Sequence, residues 1–121
     1  DIVKESINAA KTNSKNNDIK NAFFEYGDIK NLFNEFFVKK YGSPDLIITD
    51  PPRNGMHKDV VKQILSIKPN KIIYVSCNSS TQARDLSYLY RSYKMSRCRA
   101  VDMFPHTNHI ENVVLLENNE I

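Results

Sequence analysis

The sequence has few glycines and cysteines, no tryptophan and no long apolar run. Its 121 residues include three glycines and two cysteines. Two thiols outside any CxxC or Cys/His pattern form neither a disulfide framework nor a structural zinc site, so we expect both to be reduced. No apolar run approaches the roughly 20 residues of a transmembrane helix, and the N-terminus lacks a basic-then-apolar signal. We therefore expect a soluble, cytoplasmic protein with no membrane association.

Length and charge narrow the possibilities further. A chain of 121 residues that is 40% hydrophobic is expected to form one domain with one core. The net charge of +3 suits an anionic partner such as a nucleic acid, although many proteins without such a partner are as basic. Charge alone therefore does not identify a function.

Apolar spacing predicts an alternation of helices and strands. Helices are predicted at residues 4–17, 29–42, 60–68 and 81–93, and strands at residues 21–26, 45–50, 71–76, 97–103 and 111–117. The apolar run within residues 45–50 does not alternate, which is typical of a parallel strand buried on both faces. The order predicts a three-layer α/β fold with a largely parallel sheet and an antiparallel strand pair at its C-terminal end.

Side chains capable of chemistry follow three of these strands, at residues 26–28, 50–53 and 76–78. Ligands of such sheets bind at the carboxyl ends of the strands. In residues 50–53 two prolines make the loop stiff, which suits an acid and a guanidinium held beside a planar ligand. The same two prolines are equally compatible with a sharp exit from the strand.

Cys77 and Glu111 form a candidate catalytic pair. Cys77 precedes a predicted helix whose N-terminus favours a thiolate, but it is also compatible with a small apolar residue that ends a strand. Glu111 begins the last strand on the same edge of the sheet, the arrangement expected for a nucleophile and a separate general base. Cys98 lies within a predicted edge strand and is interpreted as a packing residue.

Two other clusters have simpler interpretations. His106 and His109 lack a third ligand at a useful spacing, so we expect no metal site. Five cations stand close to a single acid, Asp85, and either follow a phosphate backbone or form a solvated helix face. They are Arg84, Arg91, Lys94, Arg97 and Arg99.

Three motifs, DPPRNG, YVSCNSSTQARDL and DMFPHTNHIENVVLL, occur in this order. Together they resemble the catalytic domain of the RNA uracil-C5-methyltransferase family, from the first residue to about residue 117. The resemblance implies a class I methyltransferase fold and S-adenosylmethionine as the methyl donor. It also implies that carbon 5 of a uridine in rRNA or tRNA is methylated.

Carried over by position, the resemblance implies Cys77 as the nucleophile that bonds to carbon 6 of the uracil. It implies Glu111 as the base that removes the proton from carbon 5. Asp50 would lie between the cofactor and the pyrimidine, and Arg53 and Asn78 would contact the substrate.

The same resemblance implies a cofactor site and shows two departures. Asp1 would bind the cofactor ribose, Asp28 would lie near the adenine, and Asp50 would complete the site. Ser79 stands where the family commonly has proline. The first strand with its glycine-rich cofactor turn, and the N-terminal RNA-binding portion, are absent from the sequence. We therefore expect residues 1–121 to be a partial catalytic domain with little or no activity and a tendency to self-associate.

Two alternatives remain at this point. Amino-group methyltransferases that act on adenine, guanine or a protein amide also place an acid-Pro-Pro loop after a strand. They use no covalent cysteine, and an aromatic residue usually follows their prolines, where this chain has Arg53. The other alternative is a non-catalytic RNA-binding module that keeps the fold without the chemistry.

Overall fold

The computed structural model describes residues 1–120, in which five helices and four strands are found. Helices α1 to α5 span Lys4–Asn16, Ile29–Leu32, Glu35–Tyr41, Lys58–Ile67 and Ser79–Leu89. Strands β1 to β4 span Leu46–Thr49, Lys71–Ser76, Tyr93–Val101 and Glu111–Asn118. The α/β class and the predicted alternation from residue 45 onward are confirmed.

The four strands form one mixed sheet in the order β1-β2-β4-β3. Strand β1 pairs with β2 in parallel, whereas β4 is antiparallel to both β2 and β3. The predicted antiparallel C-terminal pair is confirmed. The largely parallel sheet is not, because two of the three pairings are antiparallel. Residues 102–110, which join β3 to β4, are too few for the dozen or more residues of a parallel crossover.

The buried core lies on one face of the sheet, between β2, β4 and the helices α4 and α5. Burying each large apolar side chain there contributes roughly 1.5–3 kcal/mol. The core side chains are Met56, Val60, Val61, Ile64, Ile72, Tyr74, Leu89, Tyr93, Val114 and Leu116. One of the predicted helical layers is therefore present on this face.

The opposite face of the sheet is less covered than predicted. Its apolar side chains on β2 and β4 are half-buried, and Ile48 of β1 is 67% exposed. Strand β1 was predicted to be buried on both faces, and this is wrong for the face that carries Ile48. Within residues 1–120, the buried core therefore includes only one of the two helical layers that a three-layer fold predicts.

The first 45 residues depart most from the sequence prediction. The predicted strand at residues 21–26 is absent, since the segment has no strand ladder and Phe23 is 73% exposed. Two hydrogen bonds, from the N-terminal amine to Glu25 O and from Gly27 N–H to Asp1 O, join the segment to the start of the chain. The helix predicted at residues 29–42 is broken, because the Asn34 side chain accepts from two backbone N–H groups and caps α3.

The helix predicted to reach residue 93 ends earlier. Helix α5 ends at Leu89, and Tyr93 is the first residue of β3. Tyr93 is buried, and its hydroxyl donates to Pro69 O at 2.9 Å. The apolar spacing from Leu86 to Tyr93 is helical, but the last of these side chains reaches the core from a strand.

Two kinds of feature were not found in residues 1–120. No helix there has both the length and the apolar character needed to cross a bilayer. No group of three or more His, Cys, Asp or Glu side chains in that range is arranged to hold a metal ion.

Candidate active site

The strand registers bring Cys77, Glu111 and Asp50 to one end of the sheet. The β2·β4 ladder ends at the pair Ser76 and Asn112, so Cys77, which follows Ser76, and Glu111, which precedes Asn112, lie at the same end. In the parallel β1·β2 ladder, Thr49 pairs with Tyr74, so Asp50 leaves the sheet at this end too. Cys77 is half-buried and lies outside the apolar core.

The backbone around Cys77 is ordered by local hydrogen bonds. Ser76 Oγ donates to Asn78 O at 2.9 Å and accepts from Asn78 N–H at 3.0 Å. Asn78 caps α5, because its side-chain oxygen accepts from Ser80 N–H at 3.1 Å. The thiol therefore lies on a fixed turn at the N-terminus of an 11-residue helix.

Residues 50–53 are tied to this turn. The carbonyl oxygen of Arg53 accepts from Asn78 Nδ2 at 3.0 Å and from Thr81 Oγ1 at 2.9 Å. The exposed Arg53 guanidinium lies 3.2 Å from His109 Nδ1. Both polar groups of the Asn78 amide therefore have protein partners, and the predicted substrate contacts of Asn78 and Arg53 stay predictions.

A cleft of about 1020 Å³ opens beside this end of the sheet. The three carboxylates predicted to bind the cofactor, Asp1, Asp28 and Asp50, all line it. Ile29 and Met56 add apolar surface to the same cleft. The structure thus brings together three carboxylates that lie up to 49 positions apart in the sequence.

Asp28 is held as an anion in this cleft. Its side chain accepts from Lys30 N–H at 3.0 Å and caps α2. This backbone hydrogen bond, reinforced by the Lys30 ammonium group, holds the pKa of the Asp28 carboxyl below its usual range. Asp1 also accepts locally, from Val3 N–H at 2.8 Å.

A family model described as tRNA (Uracil-5-)-methyltransferase matches residues 1–119. The chain belongs to this family. The resemblance stated from the three motifs is therefore confirmed at the level of the family.

Relatives with similar sequences are RNA methyltransferases. An uncharacterized RNA methyltransferase of Bacteroides thetaiotaomicron is 56% identical over 117 residues, covering 97% of this chain and 26% of the relative. One from Porphyromonas gingivalis is 50% identical over 121 residues, covering 98% of this chain and 26% of the relative. The chain thus spans about a quarter of the length of these relatives.

Solved structures of methyltransferases have a similar fold. The Pyrococcus abyssi tRNA (uracil-54, C5)-methyltransferase, in complex with S-adenosyl-L-homocysteine, superposes with a TM-score of 0.80 at 36% identity. The superposition covers 96% of this chain and 27% of that one. A putative DNA modification methyltransferase from an Escherichia coli prophage has a TM-score of 0.66 at 13% identity and shares the fold alone.

Sequence reasoning missed two buried polar residues of α5, Gln82 and Asp85, next to the candidate site. Asp85 is 1% exposed and accepts hydrogen bonds from Met56 N–H and the Tyr74 hydroxyl, both at 2.7 Å. Burial and then the bond to Asp85 raise the pKa of Tyr74, so its hydroxyl stays protonated and donates. Arg84 was grouped with the candidate phosphate-binding cations, but it pairs with Asp85 at 2.7 Å.

Gln82 was also missed. Its amide nitrogen donates to Tyr74 O at 3.0 Å and Asn112 O at 3.2 Å, and its oxygen accepts from Asn112 Nδ2 at 2.7 Å. The amide therefore joins α5 to the strand residue next to Glu111. A signal was present in the sequence, since Gln82 lies at helical spacing from Leu86 and Leu89 on the core side of α5.

Proposed function

We propose that this chain is the catalytic part of a larger enzyme that methylates carbon 5 of a uridine in tRNA or rRNA through a transient covalent bond to Cys77. The observation that carries the proposal is the β2·β4 register, which ends at Ser76 and Asn112 and so brings Cys77 and Glu111 to the same end of the sheet, beside the cleft lined by Asp50. Family membership over residues 1–119 supports the same chemistry. We further propose that the enzyme acts in the cytoplasm.

The cleft suits S-adenosylmethionine, which supplies an electrophilic methyl group when bound. Its volume of about 1020 Å³ lies at the upper end of ordinary ligand sites. Asp1 and Asp28 offer carboxylate oxygens, which accept well from ribose hydroxyls and from an adenine amino group. Ile29 and Met56 offer apolar surface for a flat base.

The residues at this end of the sheet carry out the remaining steps of the proposed reaction. The Cys77 thiolate adds to carbon 6 of the uracil, and the electron pair of the 5,6 double bond moves toward carbon 5 and oxygen 4. Once carbon 5 carries the methyl group, the Glu111 carboxylate takes the proton from that carbon. The electrons re-form the double bond, and the thiolate leaves from carbon 6.

Asp50 and Arg53 hold the ring for these steps in the proposal. Asp50 accepts a hydrogen bond from the pyrimidine, and Arg53 binds polar groups of the substrate. A uridine in folded RNA must be turned out of its stack before a thiol can reach carbon 6.

The proposal concerns the complete protein, since the chain spans about a quarter of its relatives. We propose that residues 1–121 alone form a partial catalytic domain with low activity. The exposed apolar side chains of β1 and of residues 1–45 favour self-association of that isolated chain.

RNA substituted with 5-fluorouridine tests the nucleophile in the complete protein. Fluorine does not leave as a cation, so the adduct persists, and mass spectrometry is expected to show a protein–RNA complex. Cys77→Ser should abolish the complex, whereas Cys98→Ser, at an exposed position on β3, should form it normally. Full methylation by Cys77→Ser would reject the covalent route and favour an amino-group methyltransferase.

The base is tested by Glu111→Gln on unmodified RNA. The variant should alkylate the uridine once and then remain bonded to it, because the carbon 5 proton is not removed. Glu117→Gln, on the same strand but paired with Lys71 at 3.3 Å, is the control and should turn over normally. Normal turnover by Glu111→Gln would remove Glu111 from the mechanism. Salt-dependent RNA binding with no methylation or adduct in the wild type would indicate a binding module.

A further inference from the structure

We infer that α5 is a positioning helix: its side chains Thr81, Arg84 and Asp85 hold the backbone of residues 53–56 at a set position relative to Cys77. The inference rests on the proposed function and adds residues to it. None of the three contacts the reacting atoms in this scheme, so they are positioning residues.

Asp85 joins three elements at a buried point. Its Oδ2 atom accepts from Met56 N–H and from the Tyr74 hydroxyl, each at 2.7 Å. Its Oδ1 atom accepts from Arg84 Nε at 3.0 Å and Arg84 Nη2 at 2.7 Å. The loop after β1, the middle of β2 and the helix after Cys77 therefore meet at one carboxylate.

Arg84 completes the attachment on the other side of Gly55. Its Nη2 atom donates to Asn54 O at 2.9 Å, while Asp85 accepts from Met56 N–H. Gly55 itself has φ +80°, and a Cβ built there would lie 2.6 Å from Arg84 Nη2 and from Asp85 Oδ2. The loop thus packs against the ion pair so closely that a methyl group does not fit.

The same helix holds the preceding residue of the loop. Thr81 Oγ1 donates to Arg53 O at 2.9 Å, and Arg53 directly precedes Asn54. Helix α5 begins two residues after Cys77. Helix α5 therefore follows the proposed nucleophile closely, and its side chains hold the loop that begins with Asp50.

Stability alone does not require a charged group at this place. Removing a carboxylate from water is costly, and well-packed apolar side chains of similar volume often stabilise a fold as well or better. What a carboxylate adds is directional acceptance from a backbone N–H and a hydroxyl at once. We assign that directionality to the placement of residues 50–53 against the thiol.

Two glycines provide a matched test in the complete protein. Gly55 and Gly42 both have a left-handed backbone, with φ +80° and +87°, so alanine strains both. A Cβ at Gly42 meets nothing within 4 Å, whereas one at Gly55 meets the ion pair. The readouts are the rate of adduct formation with saturating 5-fluorouridine RNA, the RNA affinity and the thermal midpoint.

Gly55→Ala is expected to slow adduct formation by roughly 10- to 100-fold, because displacements of about 1 Å cost on the order of 100-fold in rate. RNA affinity should change less than about twofold. Gly42→Ala should keep the wild-type rate and lose less stability, because it shares the backbone strain of Gly55→Ala but not the contact with the ion pair. Equal rates for the two variants would overturn the inference and leave the proposed function intact, whereas a wild type that forms no adduct would defeat both.

Thr81 supplies a second test in case Gly55→Ala does not fold. Thr81→Val removes the hydroxyl at constant size, and Thr81→Ser keeps it. Adduct formation should fall by about tenfold in Thr81→Val and stay near the wild-type rate in Thr81→Ser. Equal rates in these two variants would reject the positioning role of α5.

Discussion

The two sides of the candidate site are built in different ways. Residues 46–118, named the nucleophile side after the role proposed for Cys77, carry Cys77, Glu111 and Asp50 on a sheet whose inner face is closed by α4 and α5. Residues 1–45, named the cofactor side after the role proposed for Asp1 and Asp28, leave large apolar side chains in solvent. Phe36, for example, is 77% exposed.

This difference separates two sources of order. On the nucleophile side, packing and buried hydrogen bonds such as those of Asp85 and Gln82 set the geometry. On the cofactor side, the geometry is set mainly by helix caps formed between neighbouring residues, such as those of Asp28 and Asn34. Substitutions on the nucleophile side should therefore mainly lower the stability of the fold. Substitutions on the cofactor side should lower ligand affinity with little loss of stability.

The largest effect is expected from Ile64→Ala on α4. Ile64 is 1% exposed, so its truncation leaves a cavity and should lower the free energy of unfolding by about 3 kcal/mol. The matched change Ile29→Ala, at a side chain that is 56% exposed, should cost less than about 0.5 kcal/mol. Urea-induced unfolding followed by circular dichroism measures both. Similar losses for the two variants would contradict the division.

Asp85→Asn and Asp28→Asn should separate stability from affinity. The buried Asp85 loses charge-assisted hydrogen bonds on substitution, so the free energy of unfolding should fall by about 2 kcal/mol. Asparagine caps a helix as well as aspartate does, so Asp28→Asn should leave unfolding unchanged. In the complete protein, its affinity for S-adenosylmethionine should fall roughly five- to tenfold in calorimetry. Unchanged affinity would remove Asp28 from the cofactor site.

Alkaline pH should destabilise the nucleophile side. Burial raises the pKa of Tyr93 to about 12 and shifts that of Tyr74 in the same direction. Both hydroxyls then ionise less readily in the folded chain than in the unfolded one. Their contribution is complete below about pH 10 and is lost as the pH rises through the folded-state values. Thermal midpoints between pH 9 and 12 should therefore fall, and Tyr93→Phe should reduce the slope. A flat profile would speak against burial of these hydroxyls.

The smallest effect is expected from Lys40→Gln on the cofactor side. Lys40 Nζ lies 2.7 Å from Glu25 Oε1, and this exposed pair raises the pKa of the lysine. Ion pairs in solvent contribute little to stability and weaken with added salt. The thermal midpoint should not change measurably. A drop comparable to that of Asp85→Asn would show that the cofactor side depends on this pair.

Local sequence patterns predicted the nucleophile side well. The uninterrupted apolar runs of β1, β2 and β4 indicated strands, and α4 carries a clear apolar face. The prediction was wrong where the partner of a segment decides its structure. Residues 21–26 are apolar enough for a strand but have no ladder, and Tyr93 has helical spacing but reaches the core from β3.

Part of the candidate site could also be proposed from the sequence. The motifs singled out Cys77, Glu111 and Asp50, because a thiol, a carboxylate and a stiff loop at strand ends suit a nucleophile and its base. The fit of Gly55 against Arg84 and Asp85 was not predictable, since those side chains lie about 30 positions away. A buried carboxylate in a helix resembles a surface one when only spacing is known.

The sequence by itself determined the family, the alternation of elements and the residue types available for chemistry, because these depend on local composition and on motifs along the chain. Tertiary structure alone decided the antiparallel pairing that brings Cys77 and Glu111 to the same end of the sheet and the gathering of Asp1, Asp28 and Asp50 in one cleft. It also decided which polar groups are buried. The physical reason is that strand register and desolvation depend on contacts between distant segments, and such contacts exist only once the chain has folded.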